Sequence, residues 1–97
     1  MTGRYILSPR AQRDIDEIWD YTAKRWGVDQ AEIYTRQLGH DVEAVAAQPA
    51  IGRACPELRT GYYRFPSGGH VLFYRRIEGG IEIVRVLHAR MDFAQHI

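Results

Sequence analysis

The sequence predicts an α+β domain with the order β-α-α-β-β-β, in which a helical hairpin lies across a mostly antiparallel four-stranded sheet. Three observations point there. Two successive stretches carry helical apolar periodicity with a lone glycine at their junction. Three β-branched and aromatic runs follow in the second half, punctuated by Gly-containing turns. A single short apolar run precedes the first helix. With 97 residues, the whole span 1–97 is expected to form one domain, because a second core would have nothing to bury.

The first strand is expected at Arg4 to Leu7 and ends at Ser8-Pro9. Ser8 can cap a helix with its hydroxyl, and Pro9 at the first helical position loses no needed N–H. Ile15, Ile18, Trp19, Thr22 and Trp26 then mark one helical face, opposite the charged Arg10, Arg13, Asp14, Asp16, Glu17 and Asp20. Gly27 and Val28 read as a Schellman-type stop. Asp29 and Glu32 have the spacing of a capping pair for the next helix, so the two helices must fold back into an antiparallel hairpin. Ala31, Tyr34, Leu38, Val42 and Val45 carry the second apolar stripe to Gln48, and Pro49 ends it. Gly39 inside it costs about 1 kcal/mol relative to Ala, a cost that close packing would explain.

"PAIGRACPELRTG", residues 49–61, has no period and reads as a connecting loop, with Cys55 an ordinary residue in it. Tyr63 to Phe65 opens a strand that "PSGG" turns; His70 to Arg76 is apolar on both faces, as a central strand would be. Glu78-Gly79-Gly80 reads as a hairpin turn before the last strand, Ile81 to Leu87. Ile15, Trp19, Leu38, Val45, Phe73, Ile83 and Val86 are the main core candidates.

Composition narrows the function classes. Hydrophobic residues make up 45% and charged residues 26%, ordinary globular usage that argues against wholesale disorder. One cysteine excludes an internal disulfide and a Cys-rich zinc site. No stretch approaches a membrane span and the N-terminus has no apolar signal region, so a cytoplasmic setting with no membrane partner is expected. The net charge of +1 hides an asymmetry: residues 1–48 carry six Lys/Arg against eight Asp/Glu, residues 49–97 seven against four. Twelve of the thirteen cations are Arg, the cation suited to planar contacts with carboxylate or phosphate, although a codon bias toward Arg would give the same count.

"LSPRAQRDIDEIWDYTAKRWGVDQAEIY", "AIGRACPELRTGYYRFPSGGHVLFYR" and "IEIVRVLHARMD" together resemble the ParE family of toxins from bacterial toxin–antitoxin modules, within the RelE/ParE superfamily. The resemblance covers nearly the whole chain. It implies a type II toxin held inactive in a hetero-oligomer, a heterotetramer or larger, by a ParD-like antitoxin. It also implies inhibition of DNA gyrase by the freed toxin, without cofactor or enzymatic turnover. RelE-type relatives instead cut mRNA on the ribosome, and an inert toxin remnant that still binds antitoxin is a third reading.

A RelE-like ribonuclease needs a proton acceptor, a proton donor and cations beside the developing phosphorane charge. The sequence offers Arg64, His70, His88, Arg90 and His96 as candidates, of which Arg64, Arg90 and His96 are the set an mRNA interferase would use. Val71 stands where those nucleases tend to have Arg, and no lysine follows Lys24. Non-catalytic target binding is therefore expected, carried by His88, Arg90, Met91, Asp92 and His96, with Met91–Ile97 as a tail separable from the fold. His88 is equally read as a hydrogen-bonded residue that orients the tail. His70, His88 and His96 lack metal-ligand spacing, so no metal site is expected. Arg10, Arg13, Asp14 and Glu17 on an exposed helix face, with Trp26, Tyr62, Tyr63, Arg64 and Arg75, are expected to meet the antitoxin, since exposed aromatics and Arg make interface hot spots. Direct sequence-specific nucleic-acid binding is not expected.

Overall fold

A computed structural model describes residues 3–97. Strand β1 (Arg4–Leu7) leads into helices α1 (Pro9–Trp26) and α2 (Val28–Ala47), and a 3-10 turn (Pro49–Ile51) leads to β2 (Arg53–Ala54). Strands β3 (Tyr62–Ser67), β4 (His70–Ile77) and β5 (Gly80–His88) follow, and a second 3-10 turn, Phe93–Gln95, lies in the tail. The sheet has five strands in the order β1-β5-β4-β3-β2, with β1 parallel to β5 and every other pair antiparallel. The four-strand expectation missed β2, which pairs only Arg53 with Arg64 and Ala54 with Tyr63. Two residues are too few to show a period.

Ser8 starts α1 as its sequence suggests: the hydroxyl accepts from the Ala11 N–H at 3.0 Å. The helix junction differs from the expectation. Gly27 has φ 99° and ψ 161°, so it is no left-handed Schellman residue. Its N–H donates to the Ala23 carbonyl while its own carbonyl accepts from Ala31, so one glycine ends α1 and opens α2. A positive φ of this size favours glycine. Asp29 does not cap; it lies inside the first turn of α2, where its charge complements the helix dipole.

The helical layer covers one sheet face. Ala11 and Ile18 of α1 and Leu38, Val42, Val45 and Ala46 of α2 close on Leu72, Tyr74, Ile81, Ile83 and Val86. Ile15 and Trp19 are only half-buried, and Trp26 is 65% exposed, because the stripe runs past the sheet at the far end of α1. Ile83 and Val86 both face the helices although they differ in parity. The reason is a β-bulge: Tyr74 pairs with Ile83 and Phe73 with Arg85, leaving Val84 as the extra residue.

The opposite face has its own small core. Phe73, Leu87 and Cys55 are buried there under Leu58, Tyr62, Phe93 and Ile97. Cys55 is thus a core residue, and Phe73 belongs to this face rather than to the helical one. Phe93 meets Phe73 edge-on with ring centroids 4.9 Å apart. The tail is therefore not separable from the fold, since removing Met91–Ile97 would uncover this cluster. Pro66 sits in β3 opposite Val71, past the short span of β2, so its missing N–H interrupts no ladder on that side.

Gly39 is not explained by close packing, because a Cβ placed there would meet nothing within 4 Å. Gly39→Ala is expected to raise unfolding free energy by about 1 kcal/mol through helix propensity alone. Urea denaturation of the two proteins, with an unchanged slope, checks this.

Candidate partner-binding cleft

Beyond Leu7, the last residue of β1, the outer edge of β5 has no neighbouring strand. The start of α1 completes it instead. The Ser8 N–H donates to the Ile83 carbonyl at 3.0 Å, and the Ser8 hydroxyl donates to the Val84 carbonyl at 2.9 Å. Farther along α1, Asp14 Oδ2 accepts from the Val86 N–H at 2.9 Å. The bulge turns Arg85 off the helical face, so its guanidinium meets the same carboxylate with two hydrogen bonds, Nε to Oδ2 at 2.8 Å and Nη2 to Oδ1 at 2.9 Å. Arg85 Nη1 also donates to the His96 carbonyl at 3.0 Å, tying the tail to the clamp. The Asp14 hydrogen bond holds the Arg85 guanidinium above its ordinary pKa against the opposing effect of burial.

Between α1, the start of β4, the end of β5 and the tail lies a cleft of about 460 Å³. Ile18, Val86, Leu87 and Met91 give it apolar walls; Glu17, Tyr21, His70, His88 and His96 bring polar atoms to it. His70 and His88 face each other across the strands, with ring centroids 5.3 Å apart and edge-to-face. The Tyr34 hydroxyl lies 2.6 Å from His70 Nδ1 and accepts from the Gly69 N–H at 3.0 Å. Network logic then directs the phenol hydrogen at Nδ1 and leaves the imidazole hydrogen on Nε2. Burial pushes the His70 pKa down, His88 adds to the effect and Asp14 opposes it. Burial raises the Tyr34 pKa, which the Gly69 N–H opposes.

The expected site residues divide. His88, Met91 and His96 line the cleft. His88 Nδ1 also accepts from the Arg90 N–H at 3.1 Å, the tail-orienting reading of this residue. Asp92 caps the terminal 3-10 turn by accepting from the Ala94 N–H, and Arg90 is exposed outside the cleft lining. Neither Arg64 nor Arg90 joins His96 in this cleft, so the nuclease trio is not assembled in it. Among the described residues no group of three His, Cys, Asp or Glu side chains could hold a metal ion.

The antitoxin set does not form one surface. Asp14, expected to be exposed, is consumed by Arg85; the two side chains are only 11% and 14% exposed. Arg10 and Trp26 stand at opposite ends of α1, about 24 Å apart at 1.5 Å per residue. Tyr63 stacks on Tyr74 on the helical face, whereas Tyr62 packs on the opposite one. Arg75 is held by Glu82 at 2.7 Å. Sequence reading missed Tyr21, 65% exposed beside the cleft, and the Tyr34–His70 bond. Tyr21 lies off the apolar stripe, which was the available signal.

A sequence model of the family described as "ParE toxin of type II toxin-antitoxin system, parDE" matches residues 5–93. The chain belongs to the ParE toxin family. It is 55% identical to Toxin ParE1 of Mycobacterium tuberculosis (strain H37Rv), an alignment that spans all of both proteins. Toxin ParE1 of Caulobacter vibrioides is 46% identical, with 96% of each chain covered. A solved chain from the "Chromosomal ParDE TA system from P. aeruginosa" superposes with a TM-score of 0.78, covering 89% of this chain and 95% of that one at 17% identity, a likeness of fold. The α+β reading thus holds for this ParE-family chain, with a fifth strand added. Among the described residues no helix is long and apolar enough to cross a membrane.

Asp14→Asn leaves Arg85 with a neutral partner in a confined site, and is expected to lower unfolding free energy by about 3 kcal/mol. Denaturant titration against Glu17→Gln, an exposed control expected to stay within about 0.5 kcal/mol, checks this. His70 gives a pH dependence. Its folded pKa lies below its unfolded value of about 6.5, so its stability contribution is complete above that pH. The contribution falls as pH drops through the unfolded pKa toward the folded one, because the unfolded chain binds the proton first. Midpoints measured from pH 8 to 5 should fall less steeply in His70→Asn than in the parent; equal slopes would reject the assignment.

Proposed function

We propose that this ParE-family toxin acts by binding rather than by turnover: a ParD-like antitoxin neutralises it in the cytoplasm, and the freed protein inhibits DNA gyrase. The observation that carries the non-catalytic reading is the state of Arg85. It is the one guanidinium among the cleft-lining residues, and Asp14 neutralises it. Phosphoryl-type chemistry needs free positive charge where negative charge develops, and this cleft instead offers apolar walls and half-buried imidazoles. Such a lining suits an anchoring side chain from a protein partner. Tyr21, 65% exposed at the cleft, extends this surface along α1. Family membership supports the antitoxin as the neutralising partner, and the solved neighbour comes from a ParDE toxin–antitoxin system.

The test is a plasmid supercoiling assay with purified gyrase and ATP. Folded toxin is expected to abolish supercoiling and leave linear, protein-linked DNA, and prior addition of the antitoxin is expected to restore activity. Tyr21→Ala and Met91→Ala should each weaken antitoxin binding about tenfold in titration calorimetry, a typical hot-spot cost. Unimpaired gyrase alongside codon-positioned mRNA cuts would overturn the binding reading.

A further inference from the structure

A second concavity, of about 190 Å³, lies between the start of α1, β5, the segment before β3 and the end of the tail. Its chemistry differs from that of the main cleft. Arg10, Arg59, Arg85 and His96 line it together with Tyr62 and Ile97, and no acidic side chain does. Asp14 neutralises Arg85 from the α1 side. Among the described residues neither Arg10 nor Arg59 forms an ion pair, and the Ile97 carboxylate pairs with neither. Arg59 is held in place through its face: its guanidinium carbon lies 5.7 Å from the centroid of the Tyr62 ring. With Arg85 neutralised by Asp14, the unpaired charge of the concavity is that of Arg10 and Arg59.

The excess continues beyond the concavity. Arg53 and Arg64 stand directly opposite each other on β2 and β3, and Arg64 pairs with Phe73, which places it on the same sheet face as Tyr62. Like charges directly opposite on neighbouring strands are destabilising, and among the described residues neither has an ion-pair partner. A single carboxylate would relieve one of these positions. A row of phosphates spaced along a strand would relieve several, and aromatic side chains among arginines suit such a strand.

We infer that the concavity between Arg10 and Arg59 is a phosphate site that holds the backbone of a polynucleotide, without reading its sequence. Phosphate oxygens accept the guanidinium hydrogens in the planar, bidentate manner that Arg provides. The inference is independent of which protein the toxin inhibits.

The full chain, freed of antitoxin, is titrated with inorganic phosphate while the arginine Nε–H resonances are followed. It is then titrated with a labelled oligothymidylate of about 12 nucleotides between ~50 and ~200 mM salt. Both probes are expected to shift the same arginine resonances. Arg10→Gln and Arg59→Gln should each weaken oligonucleotide binding about three- to tenfold and lower the slope of log affinity against log salt by about one. Both residues are exposed, and circular dichroism confirms that the variants are folded. Binding unchanged in the double variant would overturn the inference. So would shifts with phosphate but no oligonucleotide binding, which would mean an adventitious ion only. Binding of poly-glutamate but not of the oligonucleotide would also overturn it and assign the site to an acidic protein.

Discussion

The Asp14 carboxylate ties together α1, the end of β5 and, through Arg85, the tail. Its two oxygens each accept one Arg85 guanidinium hydrogen, and Oδ2, which takes the Nε–H, also accepts from the Val86 N–H. Arg85 then carries the connection to the tail through the His96 carbonyl. Two charges this shielded from water would be costly apart, and the fork geometry with added hydrogen bonds is what makes the pair tolerable. The pair reinforces the placement of α1 set by Ser8 and the shared core, and that of the tail set by Phe93.

The bulge at Val84 is the geometric condition for that clamp. Strict alternation from Ile81 and Ile83 would put Arg85 under the helices and Val86 on the other face. One extra residue reverses this, so Val86 enters the helical core and Arg85 reaches the end of the strand. The edge that β1 leaves open is closed by Ser8 and Asp14, without a further strand. An unpaired strand edge would otherwise invite pairing with another chain.

The same architecture separates two surfaces of different character. On the α1 side, the clamp neutralises the guanidinium and leaves an apolar cleft floored by a neutral-leaning His70 that Tyr34 orients. On the outer sheet face, arginines from α1, β2, β3 and the preceding segment accumulate with few acids among them. Arg85 borders both. Apolar anchoring surface and positive charge thus lie at separate places on the molecule.

Local physics was legible in the sequence. Ser8-Pro9, the two apolar stripes, the junction at Gly27 and the β-branched final strand each act over a few residues, so their order and the α+β class are readable from the chain alone. The motifs also carried the family, to which full-length relatives tie the chain. Elements without a period were not legible: β2 has two residues, and the burial of Cys55 depends on a tail that arrives some forty positions later. Nor could sequence show that Asp14 is spent on Arg85, 71 residues away, because charge patterning reveals neighbours on a helix and not partners across layers. Trp26 fitted its stripe and still lies in solvent, since periodicity fixes which way a residue points and only the extent of the sheet decides whether anything lies beneath it.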